Sequence, residues 1–268
     1  KIFAMPVTDF GTGIAWIGAI AYTFQIFYDF SGYSDMAIGV GKMLGFRITS
    51  NFKAPLFALN IADYWKRWHI SLTSWLTDYV FMPLNIKFRD LGQWGIILAI
   101  IINFILIGFW HGADWTFGLF GLYHGLLYIP LILSGAFYKK AKLKTNKLGL
   151  PIFKDICRML LTMVLVVIGL ILFRAPNIST AWIYIKGIFD TSLFTIPWLN
   201  SYYFYIPIVV STCIMIVVEW IERNNEGYPT FSKLSSKQWI RWAFYILLLM
   251  MILFFGSFNN QQYIYFQF

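Results

Sequence analysis

Long apolar runs, separated by short polar clusters, dominate the chain. A membrane-spanning helix needs about 20 mostly apolar residues. Four runs fit a span most clearly: Gly95–Trp110, Ile156–Phe173, Tyr202–Trp220 and Trp239–Gly256. Two weaker candidates are Ile14–Phe30, which ends in polar residues, and Trp115–Leu133, which contains His124 and several glycines. The pattern therefore predicts an all-α, polytopic helical membrane protein.

Residues 31–92 contain no clean span, and they predict helices that are re-entrant or lie in the membrane interface. Irregular backbone at membrane depth is stable only against protein or a wet cavity. Asn60 is a predicted N-cap, and Asp63 and Arg67 form a predicted i,i+4 ion pair. If residues 60–78 form one helix, His69 shares a face with Trp65, Trp68, Leu72 and Leu76.

The polar cluster 28–35 follows the first apolar run. We interpret it mainly as a helix break, because Ser and Asp side chains cap backbone groups locally. The alternative is that Asp29 and Ser31 line a cavity or support a histidine.

Composition excludes several classes of protein. Hydrophobic residues make up 59% of the 268 and charged residues 12%, about half the charged fraction of a soluble domain. Disordered chains have low hydrophobicity, and transmembrane barrels need alternating rather than continuous apolar segments. The net charge of +9 therefore indicates basic cytoplasmic loops and anionic membrane lipid rather than nucleic acid.

The basic residues alternate along the chain in a way that predicts its orientation. Residues 47–89, 139–158 and 223–241 carry 6, 7 and 4 Lys or Arg, whereas 174–198 carries 2 and 257–268 none. By the positive-inside rule the three rich segments are cytoplasmic. The protein is thus expected to be multi-pass.

Histidines provide the candidate chemistry. His111 ends an apolar run and is followed by Gly112, which we expect to end a helix in a left-handed cap and to leave room for a substrate. An ionisable residue at membrane depth is costly and is therefore a functional candidate, although a simple cap interpretation fits equally well. His69 alone fits a packing role, and His124 a packing or supporting role. The three histidines lack short ligand spacing or an attendant cysteine, so we predict no metal site.

Six stretches, taken together, resemble the membrane-bound O-acyltransferases, in particular the branch that contains the alginate O-acetylation proteins. The D-alanyl transfer proteins of teichoic acid synthesis are near relatives in that family. The stretches occur in the family's order over nearly the whole chain: Tyr28–Asp35, Asn51–Pro55, Trp65–Leu72, Asp78–Pro83, Gly108–Ala113 and Tyr263–Phe268.

The resemblance implies roles for particular residues. His111, in the Trp-His-Gly stretch, corresponds to the catalytic histidine, and His69, in the Arg-Trp-His stretch, to the second active-site position. The expected substrate contacts are Trp68, Trp110, Asp29 and Ser31. The family fold is a helical bundle with a funnel or tunnel around these residues. Residues 1–268 are expected to form a single membrane domain, the C-terminal part of a longer protein whose preceding helices are missing.

The resemblance also implies a reaction. We expect acetyl transfer from cytoplasmic acetyl-CoA, with no tightly bound cofactor, toward hydroxyls of an extracytoplasmic polysaccharide. A separate extracytoplasmic acetyltransferase is the expected partner, and the expected location is the bacterial cytoplasmic (inner) membrane. Histidine titrates near neutrality and suits a general base, so we assign that role to His111 and an orienting role to His69. Three alternatives stay open: transfer of D-alanyl or another acyl group to a cell-wall polymer, a transporter or channel subunit with a His/Asp path, and a non-catalytic scaffold.

Overall fold

The computed structural model describes residues 11–189, 206–223 and 238–256, and within them the chain is largely helical. The all-α prediction is therefore confirmed. In the part of the chain that the structure describes, three helical segments are long and apolar enough to cross a membrane: Gln93–His111, Trp115–Leu133 and Phe153–Arg174. They coincide with three predicted spans, because a span depends mainly on local apolar content and length.

The helices follow one another along the chain with short turns. The α-helices are α1 (Gly11–Met43), α2 (Ile61–Trp65), α3 (Ile70–Leu76), α4 (Met82–Lys87), α5 (Gln93–His111), α6 (Trp115–Leu126), α7 (Ile129–Leu133), α8 (Phe153–Arg174), α9 (Ile178–Gly187), α10 (Ile206–Glu222) and α11 (Gln238–Phe255). A π-helical turn, Thr77–Phe81, joins α3 to α4, and the 3-10 turns are Pro55–Phe57, Arg89–Leu91 and Ala136–Tyr138. Residues 31–43 thus belong to α1, and residues 44–92 contain short helices and turns; the prediction that they are re-entrant or interfacial stays a prediction. Of the predicted span Tyr202–Trp220, residues 202–205 lie outside the described residues, as does the stretch Tyr263–Phe268.

The helix break predicted at residues 28–35 is wrong, because α1 continues to Met43. Residues of this cluster make contacts with the loop around residues 51–52 instead of capping the helix. Ser34 is buried, and the Asn51 amide donates to its hydroxyl at 3.5 Å. Phe30 packs edge-on against Phe52 with ring centroids 5.0 Å apart. Such packing outweighs the weak local preference of Ser and Asp for turns.

Close approach of α5 and α6 organises the core around the turn at residues 112–114. A Cβ on Gly108 would collide with the Phe117 carbonyl, and one on Gly121 would collide with the Phe104 carbonyl. Small residues of this kind let helix backbones approach closely in membranes, where packing rather than water drives association.

The N-terminal part of α1 packs against α8 and α9. Ala15 and Ala19 lie against Val167 and Ile171 of α8. The Tyr184 hydroxyl of α9 donates to the Ala15 carbonyl at 2.7 Å. The polar group of a buried tyrosine is therefore satisfied across 169 residues of sequence, and α1 is fixed against α8 and α9.

Candidate active site

His69 lies in a turn rather than in the continuous helix predicted for residues 60–78. Asn60 caps α2 as predicted by accepting from the Asp63 amide at 2.8 Å, and Arg67 pairs with Asp63 at 2.9 Å. However, α2 ends at Trp65 and α3 begins at Ile70. The prediction of one helical face for residues 65–76 is therefore wrong.

Backbone hydrogen bonds from the preceding loop explain this turn. The Ile70 amide donates to the Asn51 carbonyl at 3.0 Å, and the Lys53 amide donates to the Arg67 carbonyl at 3.0 Å. His69 itself has a φ of +46°, in the left-handed region, which costs a non-glycine residue about 1–2 kcal/mol. The loop thus holds a strained backbone that aims the imidazole.

Polar side chains also support the His69 imidazole. The Ser71 hydroxyl donates to Asn51 Oδ1 at 2.6 Å and lies 3.5 Å from His69 Nδ1. The His69 ring also meets Phe30 edge-on at 4.7 Å between ring centroids. Burial lowers the pKa of His69 to about 4, because the charged imidazolium loses hydration. His69 is therefore neutral at neutral pH.

His111 is the last residue of α5, and the helix ends there as predicted. The prediction of a left-handed cap at Gly112 is wrong, because its φ of 161° is extended. The space beside Gly112 holds the Phe117 ring, since a Cβ there would lie 2.6 Å from it. The imidazole of His111 meets Phe173 of α8 at 4.9 Å between ring centroids.

The two histidines line one cavity, although 42 positions separate them in the sequence. We call it the histidine cavity. Asp29 and Trp68, both predicted substrate contacts, also lie on its wall, whereas Ser31 and Trp110 are not among the described residues that line it. Trp110 is 54% exposed, and its ring lies 6.0 Å from that of His69 and 4.7 Å from that of His111. The full lining is Ile26, Asp29, Phe30, Tyr64, Trp65, Trp68, His69, Leu72, His111, Phe120, His124, Val166, Leu170 and Phe173.

His124, for which the sequence predicts a packing or supporting role, also lines the histidine cavity and is 1% exposed. The Gly-Leu-Tyr-His-Gly pattern gave a partial signal, because its glycines indicate close packing around an otherwise costly side chain. Phe173 and Gly169 of α8, which contact His111 and His124, carried no signal, since they are an apolar residue and a glycine within an apolar run. Among the described residues, no group of three or more His, Cys, Asp or Glu side chains is placed to hold a metal ion.

Two further cavities lie beside the histidine cavity. The middle cavity shares Trp65 with it and is lined also by Lys66, Ile100, Asn103 and Phe104, among others. The basic cavity shares Lys66 with the middle cavity. It carries further cationic side chains from two distant segments: Arg67, Lys139 and Lys140.

The fold and the site thus define a helical membrane protein with a histidine-lined cavity. The family model of the membrane-bound O-acyltransferases, MBOAT, matches residues 5–173, and the chain belongs to that family.

Named relatives agree with this assignment. The chain is 39% identical over 199 residues to the probable alginate O-acetylase AlgI of Azotobacter vinelandii, covering 73% of this chain and 36% of the relative. It is 39% identical over 180 residues to the peptidoglycan O-acetyltransferase of Helicobacter pylori, covering 65% and 31%. It is 36% identical over 127 residues to the teichoic acid D-alanyltransferase of Streptococcus thermophilus, covering 45% and 30%. The chain therefore spans about a third of the length of these relatives.

Proposed function

We propose that the protein is a membrane O-acyltransferase that moves an acetyl group from a cytoplasmic thioester toward hydroxyls of an extracytoplasmic polysaccharide. The observation that carries the proposal is the convergence of His69 and His111, from separate segments, on one largely apolar cavity. Acyl transfer needs a base, polarising hydrogen-bond donors and exclusion of water, and a buried pair of imidazoles can supply the first two.

His111 acts as the general base in this proposal. It takes the proton of the acceptor hydroxyl as that oxygen attacks the thioester carbonyl carbon. The carbon–sulfur bond then breaks, and the thiol leaves with the proton returned by His111. His69, neutral through burial, orients the reacting groups by hydrogen bonding without competing as a cation. General-base help of this kind contributes roughly 10²–10⁴-fold.

Contacts between the basic segments support a common cytoplasmic face. Lys66 and Arg67 line the same cavity as Lys139 and Lys140. Arg223, from the third basic segment, donates to the Gly149 carbonyl of the second at 3.4 Å. Since these contacts link described residues of all three segments, the positive-inside rule favours a multi-pass protein with these residues on the cytoplasmic side. The bacterial inner membrane is the location that such an orientation fits.

The donor that we propose is acetyl-CoA, bound only during turnover. Its phosphates suit the cationic side chains of the basic cavity. From there the middle cavity runs beside α5, where it is lined by Ile100, Asn103 and Ile107. Asn103 is 9% exposed, and its side-chain oxygen lacks a hydrogen-bond partner among the described residues. An amide N–H group in the pantetheine arm of acetyl-CoA could donate a hydrogen bond to this oxygen. Trp65 then separates this cavity from the histidines.

The names of the relatives favour a polysaccharide acceptor. Two of the three relatives described are named as O-acetylating proteins of alginate or peptidoglycan, and they align over more of this chain than the D-alanyltransferase does. We therefore favour acetyl over D-alanyl. An extracytoplasmic acetyltransferase that passes the acetyl group to the polymer is the proposed partner, and membrane lipid surrounds the exposed apolar helix faces.

The test compares His111→Ala and His69→Ala in the intact protein, purified and placed in proteoliposomes with acetyl-CoA. Both variants should lose at least about 10²-fold in acetyl transfer while inserting into the membrane as wild type does. Phe153→Ala, at an 80% exposed position, is the control and should retain activity. Acetylation that survives in His111→Ala would refute the base assignment. Solute movement without thioester consumption would instead indicate a transporter.

A further inference from the structure

A single indole divides the histidine cavity from the middle cavity. Trp65 lines both cavities and is 6% exposed. Its ring packs edge-on against Phe104 of α5, with centroids 5.1 Å apart, and lies 6.4 Å from Phe120 of α6. Among the described residues, Trp65 is the one that lines both cavities, so its indole lies on the boundary between them.

His124 holds this indole through a specific hydrogen bond. Trp65 Nε1 donates to His124 Nδ1 at 3.3 Å in a buried setting. An indole nitrogen only donates, so Nδ1 must be unprotonated, and the imidazole is neutral with its hydrogen on Nε2. A protonated His124 would present a second donor to the indole N–H and break the contact.

The surroundings of His124 leave its ring little freedom. The ring meets Phe120 at 4.7 Å and Tyr123 at 5.4 Å between centroids. Gly169 of α8 also lies beside the ring, because a Cβ there would be 2.5 Å from His124 Nε2. Packing from α6 and α8 therefore fixes His124 Nδ1, and a fixed acceptor can hold the Trp65 indole in one position.

We propose that His124 is a positioning residue that holds Trp65 closed across the boundary between the two cavities. This inference rests on the proposed function, since it makes the indole the gate that the acetyl-bearing arm must displace to reach His111. With the indole closed, neither the arm nor water from the middle cavity reaches His111, so a weaker closed position raises acceptor-free hydrolysis. A hydrogen bond of this kind shifts the balance between closed and open positions by roughly 2- to 10-fold.

The experiment measures thioester hydrolysis by the intact protein in the absence of an acceptor hydroxyl. In hydrolysis water adds to the acetyl carbon, the carbon–sulfur bond breaks, and free thiol and acetate leave. His124→Leu removes the acceptor and Trp65→Phe removes the donor but keeps an aromatic ring. Each should raise acceptor-free hydrolysis roughly 2- to 10-fold, and the double variant should exceed neither. His124→Gln, whose side-chain oxygen can still accept, should lie near wild type.

The control is Trp75→Phe, the same change at a 54% exposed position, which should leave hydrolysis unchanged. A merely structural role predicts that hydrolysis and transfer fall together, and that result overturns the proposal, as would hydrolysis unchanged in both single variants. If His124→Leu does not fold, Trp65→Phe decides alone. A wild-type protein that never consumes acetyl-CoA would refute the proposed function instead, so the two failures are distinguishable.

Discussion

Replacing Gly169 by alanine tests the packing around His124 without removing or adding a polar group. A Cβ at this position would lie 2.5 Å from His124 Nε2 and 3.2 Å from Cε1. Real Cβ atoms do not approach this closely, so the imidazole must shift. It cannot shift easily, because Trp65, Phe120 and Tyr123 surround it.

The magnitude follows from three contributions. Overpacking of a filled core costs about 1–3 kcal/mol. Displacing the ring also weakens the 3.3 Å bond from Trp65 Nε1, a loss of about 1 kcal/mol. Alanine gains about 1 kcal/mol over glycine in a helix interior. We therefore expect Gly169→Ala to lower the free energy of unfolding by about 1–3 kcal/mol.

The assay is reversible unfolding of the detergent-solubilised protein in sodium dodecyl sulfate, followed by circular dichroism. Gly39→Ala is the matched control: Gly39 is also helical, but a Cβ there meets nothing within 4 Å, so it should be neutral or stabilise by up to about 1 kcal/mol. Adding Gly169→Ala to a His124→Ala background should cost almost nothing, because the colliding ring is gone. An equal cost in both backgrounds would show that the collision with His124 is not the cause.

Three further outcomes can be measured. Asp155→Asn should cost about 1–3 kcal/mol, because this 2% exposed carboxylate accepts from the Lys144 amide at 2.9 Å; unchanged unfolding and unchanged proteolysis of the 144–152 loop would contradict this. Burial lowers the pKa of His69 to about 4, so this residue stays neutral as the pH falls through 6.5. The pH profiles of kcat/KM for wild type and His69→Gln should therefore have the same shape near pH 6.5, and a limb there that only the wild type shows would contradict this. Asn177→Ala should lose about 1 kcal/mol through the Thr180 amide that Asn177 caps at 2.8 Å, whereas a cost within error in the same unfolding assay would rule out a contribution from that cap.

Features that depend on local composition were predictable from the sequence. The spans that contain α5 and α8 are apolar over a full membrane thickness, and neither needs a neighbour to be recognised. The cap joins Asn60 to Asp63, three positions later, and the ion pair joins Asp63 to Arg67, four positions later. Such signals are readable because every partner lies within four residues.

Features that depend on distant partners were not predictable. The turn at His69 exists because Asn51, 18 positions earlier, supplies a backbone carbonyl and a side-chain oxygen. Local preference alone would continue the helix through Lys66. Similarly, α1 continues past Asp29 to Met43, and there Asp29 and Phe30 line the histidine cavity together with residues far along the sequence.

The glycines of α5 and α6 are visible in the local sequence, but their effect depends on contacts between distant residues. Gly108 and Gly121 allow the helix backbones to touch, which brings His111, at the end of one helix, and His124, in the next, to the same cavity. A side chain at either glycine would separate the helices and enlarge the space between the imidazoles. The glycines are visible in the sequence as a weakness of the predicted span, yet in the structure they allow the close helix contact beside which the two histidines line one cavity. Histidine and glycine within an apolar run therefore indicate a site more strongly together than either residue does alone.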